Sequence, residues 1–177
     1  MTQTVETVFP DIAIPSPTYS VAQAPDKDIY IGTESNGLYI YSENWKLKKH
    51  VPIDGIIATI LPDNNGDIWL GLDETGICLF NKNKQTFTWL HKDNTNLNNN
   101  SIRTFVSYGD SSILVGTFRG LNILNKKELT ITPANINIAG KGGLSHYSIH
   151  SMLIDKDQTL WIGTYSAGVN YHSPFHR

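Results

Sequence analysis

Two glycines recur together four times along this chain, the first directly after a short apolar run and the second a few residues later. The four copies begin Ile29-Tyr30-Ile31-Gly32, Ile68-Trp69-Leu70-Gly71, Ile113-Leu114-Val115-Gly116 and Leu160-Trp161-Ile162-Gly163. They lie about 40 to 50 residues apart, a period typical of propeller blades, each of which is a small four-stranded sheet. The repeat therefore constrains the fold before any single residue is interpreted.

Each copy has the pattern of short strands joined by tight turns. In the second copy an apolar run at 57–61 ends in an Asp- and Asn-rich turn at 62–67, and further strands are predicted at 68–70, 77–80 and 85–90. Apolar runs that end in Asp, Asn, Gly or Pro are typical of β-strands. No stretch repeats its apolar residues with a helical period. We therefore expect an all-β fold made of about four consecutive four-stranded antiparallel blades, a partial propeller.

We interpret residues 1–177 as a single partial propeller domain. The predicted blades span approximately residues 18–51, 56–91, 101–132 and 148–172, and the fourth lacks its outer strand. Residues 1–17 form an N-terminal extension, and its segment 4–9 is predicted to pair as an outer strand with a terminal blade, within or between chains. Closure stays open among a four-bladed ring, an eight-bladed ring of two chains and an open half-ring. An array that does not close exposes blade faces and strand edges, so we expect self-association through the unclosed blades.

A large side chain recurs two residues before the first glycine of each copy. The four residues are Tyr30, Trp69, Leu114 and Trp161. Repeated large apolar side chains in sheet proteins mostly serve packing, so we expect them to fill the space between adjacent blades. Stacking against carbohydrate is the alternative. The glycines are better explained by backbone geometry than by phosphate binding.

Composition excludes several classes of function. A net charge of −2 and a pI near 6.3 provide no basic patch, so we expect no nucleic-acid partner. No apolar run is long enough to cross a bilayer and the N-terminus does not resemble a signal peptide, so any membrane association is expected only through missing parts of a longer protein. The single cysteine, Cys78, is predicted to be a buried, inert thiol.

The sequence offers no catalytic constellation, no metal site and no cofactor site. His146 with His150, and His172 with His176, have a spacing that joins two ligands on a helix, but neither pair is predicted to be helical. The segment 140–143 lacks the Ser or Thr that follows lysine in a phosphate loop. We therefore expect no catalytic residue, no metal and no cofactor.

A ligand is expected where the longest loops meet. In a blade, the loop between the second and third strands and the loop to the next blade leave the sheet at the same edge, and function usually depends on such loops. An asparagine-rich stretch at 94–100 is interpreted as one of these connections, a solvated loop. Charge, hydrogen-bonding groups and flat rings in these loops suit a polar ligand such as an oligosaccharide. The candidate ligand-binding residues are Glu34, Asp73, Glu74, Arg119, His146, Tyr147 and Tyr165.

The repeat resembles the two-component regulator propeller repeat. The most similar copies are 63–71, with its Asp-rich turn before Ile68-Trp69-Leu70-Gly71, and 160–171, with Leu160-Trp161-Ile162-Gly163-Thr164. The segment 143–149 is similar to this family's approach to a blade, and the tail 169–176 is similar to the end of its first propeller. The resemblance covers most of the chain from Thr18 to Phe175. The third copy departs from the pattern because Ile113-Leu114-Val115 stands where tryptophan is usual.

The resemblance implies a function as well as a fold. It implies the periplasmic sensor region of a hybrid two-component histidine kinase of gut Bacteroidetes, in which paired seven-bladed propellers detect glycan fragments and signal across the membrane. Four copies are about half of what such a propeller needs, so we expect a piece of a longer protein, itself not an enzyme. Two alternatives stay open: a propeller lyase resembling the streptogramin-inactivating enzymes, which needs a histidine base and metal-binding carboxylates, and a scaffold that binds only proteins.

Overall fold

The computed structural model describes residues 5, 13–134 and 143–173, and within these ranges the chain is all β. Every strand pairing is antiparallel. The strands are β1 (Thr18–Gln23), β2 (Ile29–Thr33), β3 (Leu38–Tyr41), β4 (Leu47–Val51), β5 (Ile57–Pro62), β6 (Asp67–Leu72), β7 (Gly76–Asn81), β8 (Thr86–Leu90), β9 (Ile102–Tyr108), β10 (Ser112–Thr117), β11 (Gly120–Asn125), β12 (Thr130–Pro133), β13 (Ile149–Ile154), β14 (Leu160–Thr164) and β15 (Val169–His172).

The strands form four separate sheets in chain order, which we number as blades one to four. The sheets are β1-β2-β3-β4, β5-β6-β7-β8, β9-β10-β11-β12 and β13-β14-β15. This architecture confirms the predicted fold class of consecutive antiparallel blades. The fourth blade has three strands among the described residues. Treating residues 1–177 as one domain stays a prediction.

Three hydrophobic cores fill the joints between successive blades. The first strands of neighbouring blades, β1, β5, β9 and β13, contact one another and so form the inner side of the array. Each core takes one face from each of two blades: Tyr30 with Ile60 in the first joint, Trp69 with Phe105 in the second and Leu114 with Ile162 in the third. A blade in the middle of the array is therefore buried on both faces, which is why its strands are apolar at successive positions.

The first glycine of each repeat allows the next blade to approach. A Cβ atom on Gly32 would lie 2.6 Å from Cγ2 of Ile57, one on Gly71 would lie 2.5 Å from Cγ2 of Ile102, and one on Gly116 would lie 2.6 Å from Cγ2 of Ile149. Each isoleucine belongs to the first strand of the following blade. Any side chain at these glycines would push the two blades apart, so the repeated glycine is a requirement of the joint.

In the first, third and fourth copies of the repeat, the second glycine and the threonine before the turn together close the hairpin. Gly37 has a φ of 76°, in the left-handed region where glycine is favoured. The Thr33 hydroxyl donates to the Gly37 carbonyl over 2.8 Å, and the same hydrogen bond recurs from Thr164 to Gly168 over 3.0 Å. In the Gly-Thr pair, the glycine therefore allows the next blade to approach closely, and the threonine caps the hairpin.

The array does not close on itself within the described residues. Trp161 on the outer side of the fourth blade is 40% exposed and Val21 on the outer side of the first blade is 71% exposed, whereas Tyr30, Trp69 and Leu114 are buried. A closed four-bladed ring, one of the three alternatives, is therefore wrong. No described blade lies against Trp161, so the expectation that it fills a space between blades stays a prediction. The predicted outer strand at 4–9 lies, apart from Val5, outside the described residues.

Two ion pairs connect adjacent blades at the edge opposite the candidate ligand-binding loops. Lys82 of the second blade contacts Asp26 of the first, and Nζ of Lys126 in the third blade lies 2.9 Å from Oδ2 of Asp63 in the second. The hydrogen bond from Lys82 is the main cause that lowers the pKa of Asp26. Partial burial acts to raise the pKa of Asp63, but hydrogen bonds from Lys126 and from the Asn64 backbone N–H outweigh it and lower that pKa.

These ion pairs predict a loss of stability in acid. A carboxylate whose pKa is lower in the folded chain stabilises the fold above its ordinary pKa, which is 3.8, and this contribution is lost as the pH falls through the folded value. The free energy of unfolding of the wild-type chain should therefore decrease below about pH 3.8. Each pair should contribute less than about 1 kcal/mol because the pairs are partly exposed.

Urea denaturation at a series of pH values checks this expectation. The double variant Asp26→Asn, Asp63→Asn should lose less stability between pH 4 and pH 2, to about the extent of the two pairs. Asp110→Asn, in the corresponding turn of the third blade, is the matched control. An acid dependence that is the same in the double variant and in the wild type would contradict the role given to Asp26 and Asp63.

Cys78 is fully buried in the core of the first joint, and burial raises its pKa to about 12. A thiol with so high a pKa is protonated at neutral pH and is therefore a poor nucleophile and a poor metal ligand. The buried location expected from the sequence is confirmed.

Candidate functional site

The side chains of interest lie at one edge of the blades, which we name the rim. At the rim the first strand of each blade begins and the second strand ends. A repeated backbone hydrogen bond of 2.9–3.0 Å joins the residue after the second strand to the carbonyl just before the first strand. The donors of this bond are Glu34, Asp73, Phe118 and Tyr165. These four residues therefore occupy equivalent positions, one in each blade.

The structure places all seven candidate ligand-binding residues at or beside these positions. Glu74 and Arg119 follow Asp73 and Phe118 directly, and His146 and Tyr147 precede the first strand of the fourth blade. The rings of His146 and Tyr147 stack with centroids 4.5 Å apart. The other candidate residues are distributed over the four blades rather than gathered at one point.

One chain of contacts crosses the rim between the second and third blades. A guanidinium nitrogen of Arg103 lies 3.7 Å from Oδ2 of Asp73, and the Arg103 guanidinium lies 5.8 Å from the centroid of the Phe118 ring. Oδ1 of Asp73 is buried and has no hydrogen-bond partner. Sequence analysis did not single out Arg103, because this residue lies inside a strand rather than in a loop. Arg103 contacts Oδ2 of the Asp73 carboxylate, whereas Oδ1 has no hydrogen-bond partner among the described residues.

Exposed aromatic rings are concentrated on the third and fourth blades of the rim. Phe118 is 42% exposed, Tyr147 43% and Tyr165 75%. The Ser148 backbone N–H donates to Nδ1 of His146 over 3.0 Å, which fixes the orientation of that ring beside Tyr147. The rim thus combines carboxylates on the first two blades with aromatic surfaces on the last two.

The asparagine-rich loop is more ordered than the sequence indicated. The Asn122 side chain, which is fully buried, donates to Oδ1 of Asn98 over 2.8 Å, and the buried Thr117 hydroxyl lies 2.9 Å from the same oxygen. The interpretation of residues 94–100 as a solvated loop is therefore wrong for Asn98. Its amide connects the loop to the third blade because buried polar groups need partners.

A groove of about 670 Å³ extends outward from the rim over the second blade. It is lined by Pro52, Ile53, Asp54, Thr75, Phe87, Trp89 and His91. Thr75 connects the groove to the rim, because its hydroxyl donates to the carbonyl of Asp73. Cavities of this size are typical of small-molecule sites.

Two aromatic side chains on one face of β8 form the apolar floor of the groove. Phe87 is 45% exposed and stacks on Phe80 with ring centroids 5.0 Å apart, and Trp89 is half-buried against the core of the first joint. Asp54 and His91 supply polar groups at the side of the groove. Sequence reasoning missed this site, although Phe87 and Trp89 stand two residues apart and alternate with Thr86 and Thr88. This spacing places both rings on the same face of an edge strand.

The described residues include no group of three or more His, Cys, Asp or Glu side chains placed to hold a metal ion. In the same part of the chain there is no helix of the length and apolarity needed to span a bilayer.

The model of the family described as "two component regulator propeller" matches residues 143–166. This segment covers the approach to the fourth blade and its first two strands. The extracellular domain of BT3049, described as the "putative hybrid two component system BT3049" from B. thetaiotaomicron, matches 87% of this chain at 29% identity with a TM-score of 0.66. Residues 143–166 thus match the two-component regulator propeller repeat.

Other solved structures share the propeller fold. The extracellular domain of BT4673 from B. thetaiotaomicron matches 87% of the chain at 21% identity with a TM-score of 0.70. The computationally designed protein Ika4 matches 97% of the chain at 11% identity with a TM-score of 0.68, and the match covers 99% of Ika4. A search of curated proteins found no significant match.

The chain corresponds to only part of the natural proteins that it matches. The matched region covers 20% of the BT3049 domain and 21% of the BT4673 domain. The chain therefore spans about a fifth of the length of each, and it is a propeller segment similar to extracellular domains of two-component systems.

Proposed function

We propose that this chain is a ligand-sensing segment in the periplasmic region of a hybrid two-component histidine kinase, and that it binds an oligosaccharide. The groove carries this proposal, because Phe87 and Trp89 present apolar ring surface beside Asp54, Thr75 and His91. The similarity to extracellular domains of two-component systems supports a sensor role and a periplasmic location. The segment itself binds the ligand without catalysing a reaction, and signalling belongs to the longer protein.

An oligosaccharide suits the groove because sugar rings have one polar edge and one less polar face. An aromatic ring packs against the less polar face of the sugar. A carboxylate, a hydroxyl and an imidazole form hydrogen bonds with the polar edge. The groove offers both kinds of group within about 670 Å³, which is room for a few sugar units. Further units extend along the rim toward Asp73 and Glu74, which adjoin Thr75.

The rim supplies the second half of the proposed binding surface. Glu34, Arg119, His146, Tyr147 and Tyr165 lie at the same edge as the groove and mix charge with flat rings. A ligand that reaches from the groove across the rim would contact several blades at once. Binding of such a ligand would change the positions of the blades relative to one another.

Isothermal titration calorimetry of the chain against a panel of oligosaccharides tests the proposal. We expect saturable binding of at least one oligosaccharide, weakened about 10- to 30-fold by Trp89→Ala, the effect typical of an aromatic anchor in a binding site. Because Trp89 also contacts the core of the first joint, Phe87→Ser is the second variant, and thermal melting confirms that both variants fold.

Two further variants separate the groove from the rest of the surface. Tyr165→Ala tests the rim and should weaken binding of longer oligosaccharides more than of short ones. Tyr108→Ala removes a ring that is 51% exposed at the opposite edge and should leave affinity unchanged. Saturable binding to none of the oligosaccharides would instead favour a scaffold that binds only proteins.

A further inference from the structure

A second groove, of about 380 Å³, lies at the joint between the second and third blades. It is lined by residues 93–96 of the connection between these blades and by Leu129, Thr130 and Ile131 at the start of the outer strand of the third blade. Ile131 belongs to the core of this joint and Leu129 packs against that core. We name this cavity the polar groove, and the cavity beside Phe87 and Trp89 the aromatic groove.

The two grooves are built in the same way on successive blades. The aromatic groove is formed by the connection that enters the second blade and by β8, and the polar groove by the connection that enters the third blade and by the start of β12. The strand register makes the two outer strands equivalent, because Phe87 pairs with Phe80 on β7 and Ile131 pairs with Leu124 on β11. The same place on each of the two blades therefore forms a cavity.

The end of the second blade forms a wall that the two grooves share. Trp89 and His91 line the aromatic groove, and the residues that follow line the polar groove. Nδ1 of His91 lies 3.6 Å from Oδ2 of Asp93, and Nδ2 of Asn94 donates to the Trp89 carbonyl over 2.9 Å. Lining residues of one groove thus contact lining residues of the other, so a ligand that passes over His91 can lie in both grooves.

The polar groove offers free hydrogen-bonding groups where the aromatic groove offers rings. The side chains of Asn96 and Thr130 are exposed, and neither forms a hydrogen bond with a described residue. An amide and a hydroxyl can each donate and accept hydrogen bonds, which matches the hydroxyl groups of a sugar. The polar groove therefore suits a sugar unit held at its polar edge.

The charges in the two grooves favour a neutral ligand. Asp54 lines the aromatic groove and Asp93 lines the polar groove, and the described lining residues of the two grooves include no lysine and no arginine. A carboxylate or sulfate group on the ligand would lie near an aspartate without a lysine or arginine to bind it. Such a group would weaken binding, because like charges repel.

We propose that the polar groove is a further subsite for the ligand of the aromatic groove, and that this ligand is a neutral oligosaccharide long enough to occupy both. Sugar units stack on Phe87 and Trp89, the chain passes over His91, and the following units form hydrogen bonds with Asn96 and Thr130. This inference rests on the oligosaccharide binding proposed above and adds the length and the charge of the ligand.

Isothermal titration calorimetry with disaccharides and hexasaccharides of the cello, xylo and malto series tests the inference. In at least one series the hexasaccharide should bind about 10- to 30-fold more tightly than the disaccharide, which is the gain expected from two added hydrogen bonds. The double variant Asn96→Ala, Thr130→Val should lose this gain and should bind the disaccharide as the wild type does.

The double variant Asn64→Ala, Thr86→Val is the matched control and should bind both sugars with wild-type affinity. Thr86 has the same register position in β8 that Thr130 has in β12, because Thr86 pairs with Asn81 and Thr130 with Asn125. Thr86 is exposed and is not among the residues that line either groove. Asn64 is an exposed amide in the turn at the opposite edge of the second blade.

The possible outcomes separate this inference from the proposed function. A hexasaccharide that binds no more tightly than the disaccharide, or that binds the Asn96→Ala, Thr130→Val variant as tightly as the wild type, would overturn the polar groove as a subsite and leave sugar binding in the aromatic groove intact. A hexasaccharide of galacturonic acid that binds more tightly than every neutral hexasaccharide would contradict the neutral ligand. Binding to none of the oligosaccharides would overturn both proposals.

Discussion

Replacing Trp69 with alanine is expected to lower the free energy of unfolding by about 3–5 kcal/mol. The Trp69 side chain is 1% exposed and belongs to the core of the second joint together with Ile77, Ile102 and Ile113. Its removal would leave a cavity between two sheets whose spacing is fixed by neighbouring strands, so the site can relax only in part. Urea denaturation followed by circular dichroism measures the loss.

Trp161→Ala is the matched control because Trp161 occupies the same position in the fourth copy of the repeat. Its side chain is 40% exposed, and its indole N–H donates to Asp155 over 2.8 Å at the surface. The expected cost is about 1 kcal/mol or less. Equal costs for the two variants would contradict the assignment of Trp69, and not Trp161, to a joint within the chain.

Gly71→Val is expected to cost about 3 kcal/mol, the upper end for overpacking of a core. A Cβ atom at this position would lie 2.5 Å from Cγ2 of Ile102 and 2.5 Å from Cγ2 of Thr59. Both neighbours are β-branched and stiff at χ1, so neither can rotate away without strain. In thermal melting the midpoint should fall by roughly 6–12 °C for a chain of this size.

Gly163→Val is the control for this substitution. At Gly163 a new Cβ atom would approach Oγ of Ser151, the free end of a small side chain, and no residue of another blade. The variant should therefore melt within a few degrees of the wild type. A second test uses Ile102→Ala, which should relieve part of the cost of Gly71→Val; additive costs in the double variant would contradict direct contact between the two positions.

Local pattern was sufficient to predict the strands and the blades. The four sheets follow the four copies of the repeat because strand length, turn residues and the paired glycines are all encoded within a few residues of one another. The same locality limits what the sequence indicates about Trp161. The sequence around it is that of a buried joint, but burial depends on whether another blade lies beside it, and this is not a local property.

Contacts between blades could not be predicted in the same way. The ion pair of Lys82 with Asp26 joins residues in different copies, and nothing in the spacing of charged residues indicates it. Asn98 was interpreted as solvated because loops rich in asparagine usually are, but its partner Asn122 lies on a strand of the third blade. Such pairings appear only once the blades are placed side by side.

The candidate site shows the same division between local and distant information. The rim was predicted from strand order alone, and the structure places the seven candidate residues there; their role in binding stays a prediction. The groove was missed because it is formed by the connection after the first blade and by the outer strand of the second. The sequence does place the rings of Phe87 and Trp89 on one face of an edge strand. This pattern indicates a binding site only when an open surface lies beside the two rings.

The contact between glycine and isoleucine sets the spacing of the blades independently of the connections that form the surface. The connections between blades differ widely in length, spanning 52–56, 91–101 and 134–148. The approach of isoleucine to glycine is nearly constant, because a Cβ atom added to each glycine would lie 2.5–2.6 Å from Cγ2 of the isoleucine. Insertions and substitutions in the connections can therefore accumulate without altering the curvature. A lineage of such segments can acquire new specificities while every member inherits the same scaffold.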